Sequence, residues 1–72
     1  MADTKTVTIN GDFITLGQLL KEAGVIPTGG AAKWFLKEHQ VLVNEQPEDR
    51  RGKKLRSGDT VTIPEQGQWT VQ

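Results

Sequence analysis

The sequence predicts an α+β domain: two short packed helices against a small, mostly antiparallel sheet. Three observations point there. Leu16, Leu19, Leu20 and Ala23 recur at helical spacing. Ala32, Phe35 and Leu36 share one face of a second helical stretch. The alternating pairs Val41/Val43, Val61/Ile63 and Trp69/Val71 stand between turn residues, as strands of a small sheet do. Helices grouped together, with strands grouped after them, make α+β rather than a parallel α/β sheet.

Each element has its own signal. Residues 4–9 alternate, with Val7 and Ile9 on one face, and stop at Asn10-Gly11, which reads as a strand and a turn. Thr15 with Gln18 three residues on is a capping box, so Thr15 starts the first helix. Gly24 closes that helix and Pro27 bars its extension. Thr28-Gly29-Gly30 opens the second helix, with Thr28 as cap, and the helix runs to about His39. Residues 40–44 form a strand and residues 44–47 a turn. Residues 48–54 contain no apolar side chain and read as a loop, which Leu55 anchors to the core. Ser57-Gly58-Asp59 is a tight turn, Val61 and Ile63 mark a strand, Gly67 a turn, and Trp69 and Val71 a last strand.

Seventy-two residues make a single domain spanning 1–72. A chain of that size buries only about 60% of its unfolded surface, so its core is small. With no cysteine there is neither a disulfide framework nor a thiolate metal site. The first residues lack the apolar segment of a secretory signal. No apolar run approaches the roughly 18 residues that span a bilayer. A soluble, cytoplasmic protein is expected.

Charge is the most uneven property of the chain. Nine Lys and Arg balance nine Asp and Glu, yet five of the nine bases fall at Arg50, Arg51, Lys53, Lys54 and Arg56. Gathered positive charge suits a phosphate backbone, because each neutralised phosphate releases counterions. The pI near 6.6 argues against indiscriminate polyanion binding, for which a value above about 9 is expected. Any such binding has to come from local placement. The bland reading of a charge run is a solvated loop, and Glu48 and Asp49 partly offset this one.

Catalytic chemistry is hard to assemble. The chain has one serine, Ser57, in a turn, and one histidine, His39, at a helix end where partial burial and the helix dipole are the plain expectation. Nothing resembles a calcium loop or a zinc site. Gly24 and Gly29 have the glycine spacing of a phosphate-binding loop, but Gly30 and Ala31 replace its Lys and Ser/Thr, and a helix precedes it. Neither an enzyme, a metal nor a cofactor is expected.

Anion-binding features are present. Gly29 and Gly30 leave backbone N–H groups open at a helix start, or merely shape an interhelix turn. Lys33 and Lys37 lie one turn apart on the same helix. Arg50 and Arg51 can grip phosphate bidentately, Lys53 and Lys54 act as point charges, and Gly52 gives a mobile loop freedom to fit. Trp34 lies off the main apolar face of its helix. Covering the edge of the core is the first reading for it, and stacking on an unpaired base is the second. Trp69 reads as core or edge-strand packing.

Leu16-x-x-Leu19-Leu20, Thr28-Gly29-Gly30-x-Ala32-Lys33, Val41-x-Val43-Asn44 and Gly58-Asp59-x-Val61 together resemble the S-four-type RNA-binding domain, named after a small-subunit ribosomal protein and also called the αL motif. The strings ITLGQLLKEAGVIPTGGAAKWFL and RRGKKLRSGD look most like the small stand-alone bacterial proteins of the YaaA type. The likeness covers about residues 14–63. It implies binding of structured RNA, ribosomal RNA or a ribosomal particle, by Thr28, Gly29, Gly30, Lys33 and Lys37, extended by Arg50, Arg51, Lys53, Lys54 and Arg56. A role in ribosome assembly or translation would follow, with no membrane and no small-molecule substrate. One departure is Glu45, where the family has glycine after the strand-ending Asn. The alternative is a protein-interaction adaptor that does not touch RNA. A ubiquitin-like carrier is set aside, because the sequence closes on Trp69-Thr70-Val71-Gln72 instead of Gly-Gly.

Overall fold

The computed structural model describes residues 4–72. Its order is β1 (Thr4–Val7), β2 (Ile14–Thr15), α1 (Leu16–Glu22), a 3-10 turn (Gly29–Ala31), α2 (Ala32–Glu38), β3 (Val41–Val43), β4 (Gln46–Glu48), β5 (Lys54–Leu55), β6 (Thr60–Ile63) and β7 (Gly67–Val71). A five-stranded sheet runs β1-β7-β6-β3-β4, and β2 pairs separately with β5. All pairings are antiparallel except β1 with β7. The two helices and the mostly antiparallel sheet make the α+β architecture. Among the described residues no helix is long and apolar enough to cross a membrane.

The core follows from the two periodicities. Leu16, Leu19 and Leu20 of α1 are fully buried, with Ala32 and Leu36 of α2 beside them in one cluster. Val41, Val43, Val61, Ile63, Trp69 and Val71 supply the inward face of the sheet, and their strands alternate buried with part-exposed residues. Leu55 is fully buried and seats the basic segment on this cluster.

Helix α1 begins as its capping box dictates. Gln18 N–H donates to Thr15 Oγ1 at 3.3 Å, and Thr15 N–H donates to Gln18 Oε1 at 3.2 Å. The next two amides are satisfied from far along the chain. Leu16 N–H donates to the Lys53 carbonyl at 2.8 Å, and Gly17 N–H to the Arg51 carbonyl at 2.9 Å. A Cβ at Gly17 would stand 3.4 Å from the Arg51 carbonyl oxygen, the Arg51 Cβ and the Ala32 Cβ, so three segments meet here and leave little room beyond a methyl group. At the other end Gly24, with φ +78°, donates to Lys21 and ends the helix.

Several expectations change. Residues 48–54 are not a free loop: Glu48 ends β4, Lys54 begins β5, and the carbonyls of Arg51 and Lys53 are tied to α1. Freedom at Gly52 is therefore not what shapes this segment. The turn after β3 is only Asn44-Glu45, both left-handed at φ 51° and 69°, and residues 46 and 47 already belong to β4. Pro47 is tolerated there because β4 is an edge strand. The second helix starts at Ala32, after the 3-10 turn, and Thr28 makes no side-chain capping bond. His39 is exposed rather than partly buried. Its backbone has already left the helix (φ −129°, ψ 131°), and its ring lies 4.6 Å from that of Phe35.

Asn44 and Asp59 lock the far end of the basic segment. Asn44 Nδ2 donates to Asp59 Oδ1 at 3.1 Å, and Asp59 Oδ2 accepts the Arg56 N–H at 2.7 Å. Thr60 N–H donates to Asn44 Oδ1 at 3.0 Å, and the Asp59 carbonyl accepts Val71 N–H at 2.9 Å.

Two stability predictions follow from these contacts. Glu45→Gly relieves a left-handed side chain, worth about 1–2 kcal/mol, against an entropy cost of about 0.5–1 kcal/mol. A net gain of about 0–1.5 kcal/mol is expected in urea unfolding, and a lowered midpoint would mean the turn carries no strain. Gly17→Leu overpacks the junction of α1, Ala32 and Arg51 and is expected to destabilise by about 1–3 kcal/mol. Hydrogen exchange at the Gly17-facing segment, residues 50–54, should then speed up, and unchanged protection would refute the junction.

Candidate functional site

Two shallow concavities carry the basic side chains that the sequence singles out. Lys33 and Lys37 of α2 line the first together with Arg51, and Leu36 and Asp49 complete it. Arg50, Gly52, Lys53, Lys54 and Arg56 line the second. Arg51 and Gly52 are consecutive, so the two concavities adjoin along the chain. The fold thus joins α2 to the basic segment, and it divides that segment between two neighbouring surfaces.

The carbonyls of residues 51 and 53 are both tied to α1, while their side chains line different concavities. Arg51 is exposed and Lys53 half-buried. Lys33 and Lys37 each follow a buried residue, Ala32 and Leu36, by one position, so they flank the buried stripe of α2 and are exposed. Among the described residues, neither these lysines nor Arg51, Lys53, Lys54 or Arg56 forms a salt bridge.

Arg50 differs from its neighbours. Its Nε donates to Glu48 Oε2 at 2.9 Å and its Nη2 to Glu48 Oε1 at 3.3 Å. Its own backbone N–H also donates to Glu48 Oε2 at 3.1 Å. Glu48's side chain is only 12% exposed and Arg50's 71%, so the carboxylate is seated while the guanidinium folds down upon it. The Arg50 guanidinium hydrogen bonds hold the Glu48 carboxyl below the ordinary glutamate range, against a smaller opposing effect of desolvation. Arg50 is correspondingly raised, first by the hydrogen bond to Glu48.

Thr28, Gly29 and Gly30 are all exposed at the approach to α2. A Cβ at Gly29 would meet nothing within 4 Å, and neither glycine has positive φ. Packing and backbone sign therefore do not require glycine at 29. Trp34 does not cover the core edge: it is 61% exposed, with Lys37 Nζ 5.4 Å and Lys33 Nζ 5.9 Å from its ring. Its neighbours Phe35 and Leu36 take the inward positions instead. Trp69 is core, at 3% exposure. Sequence reasoning passed over Phe13, which is 42% exposed with Lys54 Nζ 4.9 Å from its ring. The signal available was an aromatic directly after Gly11-Asp12, outside any apolar periodicity.

The Glu48–Arg50 pair has a pH signature. Because the folded carboxyl is shifted down, its contribution to stability is present above the ordinary glutamate range. That contribution is lost as pH falls through Glu48's own lower value. Carboxyl NMR titration should give Glu48 the lower midpoint, and Arg50→Ala should move it up. A Glu48 midpoint indifferent to Arg50→Ala would exclude the pair in solution.

Residues 7–72 match the S4 domain. The chain is also 55% identical over 65 residues to the probable ribosome maturation protein RlbA of Bacillus subtilis (strain 168), an alignment covering 90% of this chain and 92% of that protein. The elements that place Lys33, Lys37 and Arg51 on one surface lie within the matched region, and the chain belongs to the S4 domain family.

Proposed function

We propose that this is a non-catalytic protein that binds structured RNA, ribosomal RNA in particular, through the side of α2 and the basic segment. It acts in the cytoplasm, in ribosome assembly or translation. The observation that carries this reading is the convergence of Lys33, Lys37 and Arg51 on one concavity from elements far apart in sequence. A formally neutral protein that gathers seven of its nine cations on two adjoining concavities suits a polyanion. The likeness to a ribosome maturation protein supports the ribosomal destination.

The residues divide by role. Lys33 and Lys37 are point charges for phosphates, and Arg51 is the free bidentate donor between them and the loop. Lys53, Lys54 and Arg56 extend the contact along the second concavity. Arg50 contributes less, because Glu48 already occupies its guanidinium. Thr28, Gly29 and Gly30 line neither concavity; exposed just before α2, they would extend the contact by letting a phosphate approach the backbone at two residues without side chains. The deep groove of A-form RNA admits no side-chain reading, so shape and phosphate spacing dominate recognition.

Co-sedimentation with ribosomal particles across a salt series tests this. Lys33→Ala, Lys37→Ala and Arg51→Ala should each weaken association and lower the salt slope by about one, with Arg50→Ala weaker in effect. Asp49→Asn, which removes the one acid in the first concavity, should tighten it. Association that survives ribonuclease and ignores all these charges would instead identify a protein-interaction adaptor.

A further inference from the structure

Among the described residues, two large apolar side chains stand exposed, Trp34 and Phe13, and both are aromatic. Each lies against basic side chains. Trp34 has Lys33 and Lys37 near its ring, and both lysines line the first concavity with Arg51. Phe13 has Lys54 near its ring, and Lys54 lines the second with Lys53 and Arg56. The Phe13 contact has a backbone cause. Thr15 pairs with Lys54 across the β2–β5 ladder, and Phe13, two residues before Thr15, falls on the same face, diagonal to Lys54.

We infer that Trp34 and Phe13 are stacking platforms for two unpaired nucleobases, so that the ligand is RNA with unpaired nucleotides beside the phosphates held by the basic surface, rather than an uninterrupted duplex. This deepens the reading of the site as an RNA-binding surface and rests on it. A duplex keeps its base faces inside its own stack and offers none to a protein ring, whereas a bulge, loop or end does. Stacking on an aromatic tolerates any base, because every base has a π face. The lysines over both rings are exposed and exchangeable. When a base covers the ring, the ammonium moves to the adjoining phosphate and the cation is not lost from the contact. Exposed Trp and Phe also occur at protein interfaces, but lysine is depleted there. Three lysines around two rings favour a nucleic-acid occupant.

The test compares two mixed-sequence, blunt-ended two-strand RNAs of equal phosphate number, one a continuous duplex and the other interrupted by two short bulges. Binding is read by anisotropy of labelled RNA and by tryptophan fluorescence, with wild type beside Trp34→Leu, Phe13→Leu and the conservative Trp34→Phe. Circular dichroism checks the fold of each variant, which both exposed positions should preserve. The bulged RNA is expected to bind about tenfold or more tighter, each stacked base being worth about 5- to 150-fold. Both leucine variants should reduce that preference, and Trp34→Phe should largely keep it. Only the bulged RNA should quench the wild-type emission, and Trp34→Leu should abolish the response, since the remaining Trp69 is buried. Equal affinities for the two RNAs, unmoved by the variants, would overturn the stacking inference and leave the phosphate-binding surface standing. No binding of either RNA, with ribonuclease-resistant association to ribosomal particles lost in the leucine variants, would overturn both and make the face a protein-docking surface.

Discussion

The placing of the basic segment depends on two backbone hydrogen bonds at the start of α1. Leu16 and Gly17 would otherwise carry orphan amides, as the first turn of any helix does. They spend those donors on the carbonyls of Lys53 and Arg51. The same contact positions the basic segment, turns its peptide oxygens inward and leaves its cations outside. Gly17 lies at the meeting point, where an added Cβ would already touch the Arg51 carbonyl and the Ala32 Cβ at 3.4 Å. Thr15 and Gln18 satisfy the remaining amides, so the first turn of α1 has no donor left over.

That contact also resolves an electrostatic difficulty. A run of five cations repels itself, and the N-terminus of a helix adds a partial positive charge. Inward carbonyl oxygens offset the helix end, while solvent screens the outward cations. Glu48 withdraws Arg50 from the group, and Asp59 holds the backbone of Arg56 without touching its guanidinium. The protein stabilises the peptide chain of the segment and leaves most of its side-chain charge uncompensated. A segment serving only as a solvated loop would need no such fastening at both ends.

Much of this was legible, and what was not has a physical reason. The capping box at Thr15, the stop at Gly24 and the buried faces of α1 and β6 rest on side-chain chemistry and periodicity, which a sequence displays. The fastening of residues 51 and 53 uses only backbone atoms, which leave no compositional trace, so the segment reads as a free loop. The parallel pairing of β1 with β7 joins opposite ends of the chain and has no local turn to announce it. Glu45 shows the reverse: the turn between β3 and β4 demands left-handed residues, and closure of the hairpin overrides the preference of glutamate. For the site, the candidate cations read as one surface, Lys33 and Lys37 extended by the basic segment. Their division is not legible, since Arg51 joins Lys33 and Lys37 while its neighbours face the second concavity. Trp34 reads as a cover for the core edge, but Ala32 and Leu36 already fill the inward stripe of a helix only seven residues long.

A small domain gains most from such a site if the site is built before the ligand arrives. Ordering a free seven-residue loop on binding would cost about 1–2 kcal/mol per residue in backbone entropy. Here the folding of α1 has already ordered it, through the two amides, the β2–β5 ladder and Leu55 in the core. What remains to be ordered is the outer ends of a few lysine and arginine side chains, a smaller cost for each contact made. The phosphate contacts can then be individually weak and still sum to useful affinity. Such contacts carry no base information, however, and a surface made of them alone would accept any anion of suitable shape. On the proposed reading, exposed aromatic rings beside a rigid cationic surface would add discrimination by RNA structure without adding charge. The rigid segment would then supply affinity and register, and the two rings would decide which folded RNA can use them.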